Sequence, residues 1–440
     1  MKKFIIHGGK PLKGTVTIGG AKNSSFKLLI AAILTQGESK ILNVPQIDET
    51  QITTKIIDYL GGKITTPGER TIFINPMTLK SSRISKDFGS KSRASIMFAG
   101  PLLKRFGNAY LPLPGGDKVG KRPIERHLEG LKALGVQVNQ ADGFIELFCK
   151  ELHGADYHFK KITHTGTETM IMAAVCAKGR TVLTNVALEP EIDDLISYLN
   201  KAGAKIKRLP GRKIQIYGVN NLVGAIHKIM PDRNEAVSYA CAALGTKGDI
   251  IIENIAKENI RSFLDKVKEA GGCYEVGNYG LRFWYEKPLK ATDITTAPHP
   301  GFMTDWQPLW TTLMTQAKGT SKIIETVYEY RLDFTKELIR MGAKIKLFNP
   351  KVDDYDTFYV FNKEDDKPEY YHAAEVFGVT LLKGKQLIVP DIRAGATFTL
   401  AALIANGKSE ILGIEHIDRG YESFDSRLRE LGADITRSDL

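Results

Sequence analysis

A six-residue phrase recurs six times along the chain and constrains its fold more than any other feature. Each copy resembles the end of a helix, a turn containing glycine, and the start of a strand. The copies are YLGGKI at 59–64, ALGVQV at 133–138, KAGAKI at 201–206, EAGGCY at 269–274, RMGAKI at 340–345 and ELGADI at 430–435. Their first glycines are separated by 74, 68, 68, 71 and 90 residues. This period indicates a chain built from repeated structural modules, with each glycine capping a helix in the left-handed conformation.

An apolar stretch, a glycine turn and a strand precede several copies of the phrase. The apolar stretches lie at 28–34, 171–177, 237–244 and 400–405, and the strands that follow lie at 40–44, 181–186, 249–255 and 409–414. A helix that is apolar on nearly all sides is fully buried, whereas the helix over 192–201 is amphipathic. Each module therefore reads strand, helix, strand, helix, strand, strand. Modules of this size cannot bury their apolar faces alone, so six of them predict two bodies of three modules each.

The last interval is longer than the others, and the excess lies within 350–385. This stretch combines six acidic residues, from Asp353 to Asp366, with several tyrosines. We expect an inserted acidic hairpin or loop at the edge of a module, on the surface.

The composition limits the partners and the location of the protein. The 440 residues carry a net charge of +11, which favours anionic partners. The basic residues are spread along the chain, and the densest stretch, 118–127, lies beside a glycine turn. This suits a compact anion pocket better than a nucleic-acid groove, and a solvated basic surface is the alternative.

The apolar runs and the cysteines exclude further classes. No apolar run approaches the roughly 20 residues of a membrane span, and the N-terminus lacks a signal-peptide pattern. Four separated cysteines without a CxxC pair fit reduced thiols, and His153 and His158 have no third ligand at useful spacing. We therefore expect a cytoplasmic protein with no membrane span and no metal.

Six short blocks occur in an order that identifies a family. They are GGAKNS at 19–24, SRAS at 92–95, LPGGDKVGKRPI at 113–124, APHPGFMTD at 297–305, DIR at 391–393 and HIDRGYE at 416–422. The chain resembles the enolpyruvyl transferases nearly from end to end, and most closely the branch whose acceptor is UDP-N-acetylglucosamine.

The resemblance implies an α/β fold of two domains, the two-domain inverse α/β prism. Each domain is a pseudo-threefold prism of three βαβαββ modules, with helices inside and sheets outside. It implies a discontinuous catalytic domain over 1–21 and 232–440, and a second domain over 22–231 that carries a mobile loop at 112–124. The chain would cross between the domains near residues 21 and 231.

The resemblance also implies the reaction. The enolpyruvyl group of phosphoenolpyruvate is transferred to the 3'-hydroxyl of UDP-N-acetylglucosamine through a tetrahedral intermediate, and phosphate is released. No metal and no organic cofactor take part. The product would serve peptidoglycan precursor synthesis.

The catalytic residues implied by the resemblance are Lys22, Asp117, Asp305 and Arg393. Asp305 would take the proton of the acceptor hydroxyl, although an Asp near a helix start also fits a structural role through the helix dipole. Lys22, Arg122, Arg393 and Arg419 would converge in the interdomain cleft on the phosphate and carboxylate of the donor.

Asp117 departs from the family, because most members carry Cys at this position of the loop. An Asp acts as an acid near pH 7 only if its pKa rises by roughly 3 units from its reference value. Burial on loop closure favours such a rise, while Lys118 and Arg122 oppose it. A carboxylate is a poor nucleophile toward epoxides compared with a thiolate, so we expect resistance to fosfomycin, the epoxide that alkylates the family's Cys.

The resemblance carries further substrate-binding residues over to this chain. The full set is Lys22, Asn23, Arg93, Arg122, Pro123, Ile124, Glu125, Arg126, His127, Lys161, Thr163, His164, Asp305, Val327, Arg331 and Arg419. Asn23 either contacts substrate or caps the following helix, and both can hold. Glu125, Arg126 and the segment 163–166 depart from the usual residues of the uridine site, and His164 could stack on a base or face solvent.

Two other functions stay open on the sequence alone. The branch acting on shikimate 3-phosphate shares the fold and the donor, but Asn23 follows Lys22 here, and the stretch around Arg93 lacks that branch's Asn-Ala-Gly-Thr phrase. A non-catalytic binder of nucleotide sugar or nucleic acid on the same fold is the other alternative. The presence of Lys22, Asp305, Arg393 and Arg419 argues against it.

Overall fold

The computed structural model describes residues 2–89, 93–113 and 123–439. Its helices are α1 Lys22–Ala31, α2 Asp48–Tyr59, α3 Lys86–Gly89, α4 Ala99–Phe106, α5 Glu125–Ala133, α6 His164–Ala174, α7 Pro190–Lys201, α8 Arg233–Gly245, α9 Arg261–Glu269, α10 Gln307–Met314, α11 Thr335–Arg340, α12 Tyr355–Phe358, α13 Ile392–Ile404, α14 Glu415–Asp418 and α15 Phe424–Glu430.

The strands alternate with these helices along the chain. They are β1 Lys2–His7, β2 Lys13–Thr17, β3 Thr35–Gln36, β4 Ser39–Leu42, β5 Lys63–Gly68, β6 Thr71–Asn75, β7 Asn108–Pro112, β8 Gln137–Ala141, β9 Phe144–Phe148, β10 Asp156–His158, β11 Arg180–Thr184, β12 Lys205–Leu209, β13 Lys213–Tyr217, β14 Leu222–Val223, β15 Ile226–Lys228, β16 Asp249–Glu253, β17 Cys273–Gly277, β18 Gly280–Trp284, β19 Ile294–Thr295, β20 Gly319–Ile324, β21 Lys344–Phe348, β22 Ala373–Gly378, β23 Gln386–Ile388, β24 Lys408–Leu412 and β25 Asp434–Asp439.

The described residues form two compact units. One unit contains 2–19 and 231–439, and the other contains 20–89, 93–113 and 123–230. Each unit has its own continuous apolar core.

Five four-stranded sheets share one strand arrangement, which is the predicted module. In β10-β11-β13-β12 the first pair is parallel and the others are antiparallel. The sheets β15-β4-β6-β5, β2-β16-β18-β17, β19-β20-β22-β21 and β23-β24-β1-β25 follow the same order. In the sixth module the sheet is β7-β9-β8, and a parallel bridge from Arg83 to Tyr110 takes the place of the first strand.

The N-terminal strands complete modules formed by much later parts of the chain. β1 pairs antiparallel with both β24 and β25, so that Phe4 lies opposite Ile411 and Arg437. β2 pairs parallel with β16. The first unit is therefore discontinuous in sequence.

The apolar helices lie inside the units, as their sequences predict. All residues of α8 and α10 are buried, and α13 is buried over Ile392–Leu403. These three helices pack on one another, and each also packs on its own module's sheet. In the other unit, α4 packs on α6, and α1 packs on α2 and α7.

All six glycines of the repeated phrase adopt the predicted left-handed conformation. Their φ angles lie between +73° at Gly271 and +108° at Gly342. A side chain is strained in this region of φ, so the turn that ends each amphipathic helix favours glycine.

Of the two predicted forms of the insert, hairpin and loop, the structure has the loop. The chain leaves β21 and returns in β22, and between them the described residues contain only the short helix α12 and a 3-10 turn over Lys363–Asp365. Tyr359, Phe361 and His372 are buried. The carboxylate of Asp366 accepts a hydrogen bond from the Tyr355 hydroxyl (2.8 Å) and contacts His372 Nε2 at 3.0 Å. The insert is thus a loop with a small aromatic core. The many acidic residues of this segment give no sequence signal for such a core.

Candidate active site

Asp305 lies between two arginines from other parts of the first unit. Its Oδ1 accepts a hydrogen bond from Arg331 Nη2 and its Oδ2 one from Arg393 Nη2, each at 3.0 Å. The arginine side chains are only 4% and 10% exposed, and that of Asp305 is 19% exposed. The structure therefore brings together three of the predicted site residues in one partly buried ion cluster.

The three side chains come from the ends of local elements. Asp305 lies two residues before α10, and its carboxylate is bound by the two arginines. Arg331 begins the 3-10 turn Arg331–Phe334. Arg393 is the second residue of α13, where the Asp391 carboxylate accepts the backbone N–H groups of Arg393 (2.8 Å) and Ala394 (3.1 Å). This cap fixes the start of the helix and hence the base of the Arg393 side chain.

A buried hydrogen-bond network holds Arg331 in place. Arg331 Nε donates to Thr304 Oγ1 (3.1 Å), and Thr304 donates to Glu325 Oε2 (3.0 Å). Glu325 Oε1 accepts the backbone N–H groups of Val327 (2.8 Å) and Tyr328 (3.1 Å). Burial raises the pKa of Glu325, although Arg331 counteracts the rise. The network ties the segment carrying Val327 to the residue before Asp305.

Arg393 makes a second polar contact through its other terminal nitrogen. Its Nη1 donates to the Tyr421 hydroxyl at 3.3 Å, and this hydroxyl lies 2.8 Å from Ser238 Oγ. Burial acts to lower the pKa of Arg393, but Asp305, Tyr421 and Asp232 together outweigh it, and the pKa is raised. Arg393 is therefore a permanent cation in a site largely shielded from water.

Lys22 and Asn23 are the first two residues of α1 in the second unit. The residue at the N-cap is Ala21, and no side chain caps this helix. The alternative that Asn23 is the cap is therefore wrong, because its backbone is already helical. Lys22 Nζ lies 6.0 Å from the centroid of the Phe26 ring, within the range of a cation–π contact.

His127 is a buried, neutral imidazole near the start of α5. Its Nε2 lies 2.9 Å from Thr165 Oγ1. Burial, reinforced by the positive charge of Arg93, lowers its pKa to about 3. His127 thus supplies a hydrogen-bonding ring and not a cation. Glu125 is exposed, Ile124 is buried, and Arg126 Nη1 donates weakly to the carbonyl of Ile162 at 3.4 Å.

The segment before α6 places His164 on a buried ion pair. Thr163 caps the helix, its hydroxyl accepting the N–H of Gly166 at 3.2 Å. His164 Nε2 lies 3.2 Å from Glu168 Oε1 and 3.0 Å from Lys27 Nζ. The sequence analysis names neither Lys27 nor Glu168. The sequence signal that could point to them is a charged residue inside each of two largely apolar helices.

The remaining predicted residues lie as follows. Arg93 begins the 3-10 turn Arg93–Phe98, Lys161 lies in the turn before α6, and Arg419 lies at the C-cap of α14. Asp117 and Arg122 lie outside the described residues. Their predicted roles are therefore taken from the sequence alone.

Further features bear on metals, thiols and membranes. Among residues 2–89, 93–113 and 123–439, no group of three His, Cys, Asp or Glu side chains is arranged to hold a metal ion. All four cysteines, each of them described, are free thiols. Within the same ranges no helix has the length and apolar character needed to span a membrane.

Comparison with known proteins identifies a family model and solved structures that match this chain. The model of the family described as EPSP synthase (3-phosphoshikimate 1-carboxyvinyltransferase) matches residues 6–428. Two solved structures share the fold: the enolpyruvyl transferase NikO from Streptomyces tendae, with a TM-score of 0.85 and 24% identity over 99% of both chains, and EPSP synthase from Acinetobacter baumannii, with a TM-score of 0.76 and 18% identity over the whole of both chains.

Curated relatives are more similar in sequence. A UDP-N-acetylglucosamine 1-carboxyvinyltransferase from Sorangium cellulosum is 40% identical over 99% of each chain. One from Trichlorobacter lovleyi is also 40% identical over 99% of each chain, and one from Halothermothrix orenii is 38% identical over 99% of this chain and all of the relative. Since the family match and these relatives each span almost the entire sequence, and the fold is that of solved family members, the chain belongs to the enolpyruvyl transferase family.

Proposed function

We propose that the protein transfers the enolpyruvyl group of phosphoenolpyruvate to the 3'-hydroxyl of UDP-N-acetylglucosamine and releases phosphate. The names of full-length relatives at 38–40% identity support this acceptor over shikimate 3-phosphate. The observation that carries the proposal is the Asp305 carboxylate bound by Arg331 and Arg393. It supplies a base and two cations at one point, which this reaction needs.

Asp305 gains basicity when anionic substrates engage the arginines. A carboxylate that accepts two charge-assisted hydrogen bonds is a weak base, and each such bond is worth about 1.5–3 kcal/mol. The anionic groups of the two substrates compete for these guanidinium groups. Transfer of Arg331 and Arg393 to substrate anions releases the carboxylate for proton abstraction.

The chemical steps then balance as follows. Asp305 takes the proton of the 3'-hydroxyl while the hydroxyl oxygen bonds to C2 of phosphoenolpyruvate. C3 takes up a proton, for which Asp117 is the proposed donor, and the tetrahedral intermediate forms. C3 then loses a proton, and the bond between C2 and the bridging phosphate oxygen breaks. The double bond is restored, and inorganic phosphate leaves.

The remaining roles follow the sequence prediction. Lys22, Arg122, Arg393 and Arg419 bind the anionic groups of the donor. The acceptor is bound by two stretches, 123–127 and 161–164, and by four isolated residues. The residues are Pro123, Ile124, Glu125, Arg126 and His127 in the first stretch, Lys161, Thr163 and His164 in the second, and Asn23, Arg93, Val327 and Arg331 outside them. The proposed domains are 1–21 with 232–440, and 22–231. The product would enter peptidoglycan precursor synthesis in the cytoplasm.

Phosphate release tests this function. Purified protein is incubated with phosphoenolpyruvate alone, with UDP-N-acetylglucosamine added, or with shikimate 3-phosphate added. We expect release only with the nucleotide sugar. Release only with shikimate 3-phosphate would replace the acceptor, and no release with either would favour a non-catalytic binder.

A further inference from the structure

A buried ion pair lies directly behind His164 in the second unit. Lys27 Nζ, on α1, lies 2.6–2.7 Å from the two carboxylate oxygens of Glu168, on α6. The two side chains are 2% and 0% exposed. Both also contact Nε2 of His164, whose side chain is 23% exposed. Apolar residues of similar volume often stabilise a fold as well as a buried ion pair does. Stability alone therefore does not explain why Lys27 and Glu168 are charged.

The contacts of Nε2 bear on which ring nitrogen of His164 carries hydrogen. An ammonium group has three donors and no acceptor. Nε2 of His164 lies closer to this donor (3.0 Å) than to the acceptor Glu168 Oε1 (3.2 Å), and we therefore assign the lone pair of the neutral ring to Nε2 and its hydrogen to Nδ1. In the doubly protonated ring Nδ1 also carries hydrogen. Nδ1 of His164 is thus a hydrogen-bond donor in both charge states.

This donor is available to a ligand. Within residues 2–89, 93–113 and 123–439, His164 makes its polar contacts through Nε2. Some buried polar atoms in these ranges lack a hydrogen-bond partner, and His164 Nδ1 is not one of them. His164 is the first residue of α6 and follows Lys161 and Thr163, both of which we place at the acceptor. The ring therefore presents its N–H from the exposed edge of the cluster, beside residues with a proposed binding role.

We propose that Lys27 is a positioning residue that fixes the hydrogen of His164 on Nδ1, and that His164 donates this hydrogen to an oxygen of the acceptor nucleotide sugar. The ligand part of this inference rests on the proposed function, whereas the tautomer does not. Glu168 orients the ring and neutralises Lys27.

Nitrogen NMR of the ligand-free protein tests the tautomer directly. Histidine-labelled protein is titrated from neutral to alkaline pH, and the His164 signals are assigned by their absence in His164→Asn. We expect a protonated Nδ1 throughout and an unprotonated Nε2 at high pH. A neutral ring with hydrogen on Nε2 would overturn the inference.

Two substitutions of His164 separate its nitrogens in the enzymatic assay. The amide nitrogen of Asn overlays Nδ1, and that of Gln overlays Nε2. We expect His164→Asn to keep the KM for UDP-N-acetylglucosamine near the wild-type value, and His164→Gln and His164→Leu to raise it about tenfold, the effect of one hydrogen bond. The KM for phosphoenolpyruvate should be unchanged. An equal acceptor KM in all four proteins would contradict the role of Nδ1.

Lys27→Met should make recognition depend on pH. Without the ammonium group, Nε2 of the neutral ring is free to donate to Glu168, and Nδ1 then has no hydrogen. The ring faces Lys27, Glu168 and, at longer range, Glu189. In Lys27→Met the acceptor KM should rise as pH passes above the His164 pKa, whereas the wild type and Lys40→Met, which removes a lysine stacked on Phe73 in the same unit, should show no such rise. A pH profile identical to wild type in Lys27→Met would contradict the positioning role.

The outcomes distinguish this inference from the proposed function. Turnover of UDP-N-acetylglucosamine with an unchanged KM in His164→Leu leaves the function intact and removes the role of His164. A protonated Nδ1 without any turnover keeps the tautomer assignment and removes the function and, with it, the assigned ligand.

Discussion

At the scale of single residues, the pairing of Asp305 with two arginines makes its removal informative. Asp305→Asn keeps the size of the side chain but cannot take a proton, so we expect kcat to fall by about 10²–10⁴, the usual contribution of a general base. The fall should appear in single-turnover phosphate release. Asp249→Asn is the matched control, because Asp249 is also bound by an arginine of the same unit, Arg282, at 2.7 and 2.8 Å.

Loss of activity in both variants would indicate a general effect of unpairing an arginine. Full activity in Asp305→Asn would remove Asp305 from the mechanism. We expect Asp249→Asn to keep wild-type turnover, since its carboxylate has no proposed contact with substrate.

Asp117 gives a prediction that rests on sequence alone. Asp117→Cys should keep turnover and become sensitive to fosfomycin, because a thiolate attacks the epoxide, whereas the wild type should form no adduct. Asp117→Asn should lose most of its activity because an amide cannot act as an acid or a base near neutral pH. Mass spectrometry of the treated proteins checks the adduct, and an adduct on Asp117 itself would contradict the prediction.

Single residues also show where sequence reasoning ended. Asp305, Arg331 and Arg393 are far apart in the chain, and only the family resemblance grouped them before their distances were known. Lys27 has no distinctive sequence pattern, because it directly precedes an apolar stretch and its partner Glu168 lies on a different helix. A buried charge pair between two helices leaves no local pattern in either one.

At the scale of elements, the repeated glycine turns predict that any side chain at the glycine position lowers the free energy of unfolding. Gly203 ends α7 with a φ of +101°, and a Cβ there would meet no atom within 4 Å. Gly203→Ala should therefore lose about 1–2 kcal/mol from backbone strain alone. Denaturant unfolding measures the loss. Gly68→Ala is the control, since that position is also open but its φ is outside the left-handed region; equal stability of the two variants would contradict the argument.

The first turn of α8 predicts a pH-dependent stability. Burial raises the pKa of Glu235 from 4.5 to about 7, although Arg427 counteracts the rise. Between these values the folded state binds more protons than the unfolded state, so the free energy of unfolding should fall as pH rises, by about 3 kcal/mol in total. Above about pH 7 the loss is complete.

Thermal unfolding from pH 4.5 to 8 checks this slope. Glu235→Gln cannot titrate, so the Tm difference between wild type and variant should shift steadily against the wild type as pH rises from 4.5 to 7. A constant difference across this range would show that Glu235 is already ionised at low pH in the folded protein.

Most elements could be predicted from the repeat, and the exceptions have physical reasons. The helices that end at the glycine phrases and the buried helices before them follow directly from apolar periodicity. The acidic residues and tyrosines within 350–385 predict a surface hairpin or loop, and the structure has the loop. Tyr359 and Phe361 are buried against His372, with ring centroids 5.0–5.1 Å apart, and this contact decides the local fold.

At the scale of the whole molecule, the repeat predicts the division into six modules, whereas the discontinuity of the chain is implied only by the family resemblance. β1, β2 and β15 each join a module whose other strands lie far away in the chain. Such pairings leave no periodic signal, because a single strand carries too few residues to specify its partner.

The most direct test of the account identifies the product. The protein is incubated with phosphoenolpyruvate and UDP-N-acetylglucosamine, and the nucleotide sugar is analysed by mass spectrometry while released phosphate is quantified. We predict one enolpyruvyl group added at the 3'-oxygen for each phosphate released, with product formation slowed by about 10²–10⁴ in Asp305→Asn. Phosphate release without a mass increase of the nucleotide sugar, or product formation in Asp305→Asn at the wild-type rate, would contradict the central claim.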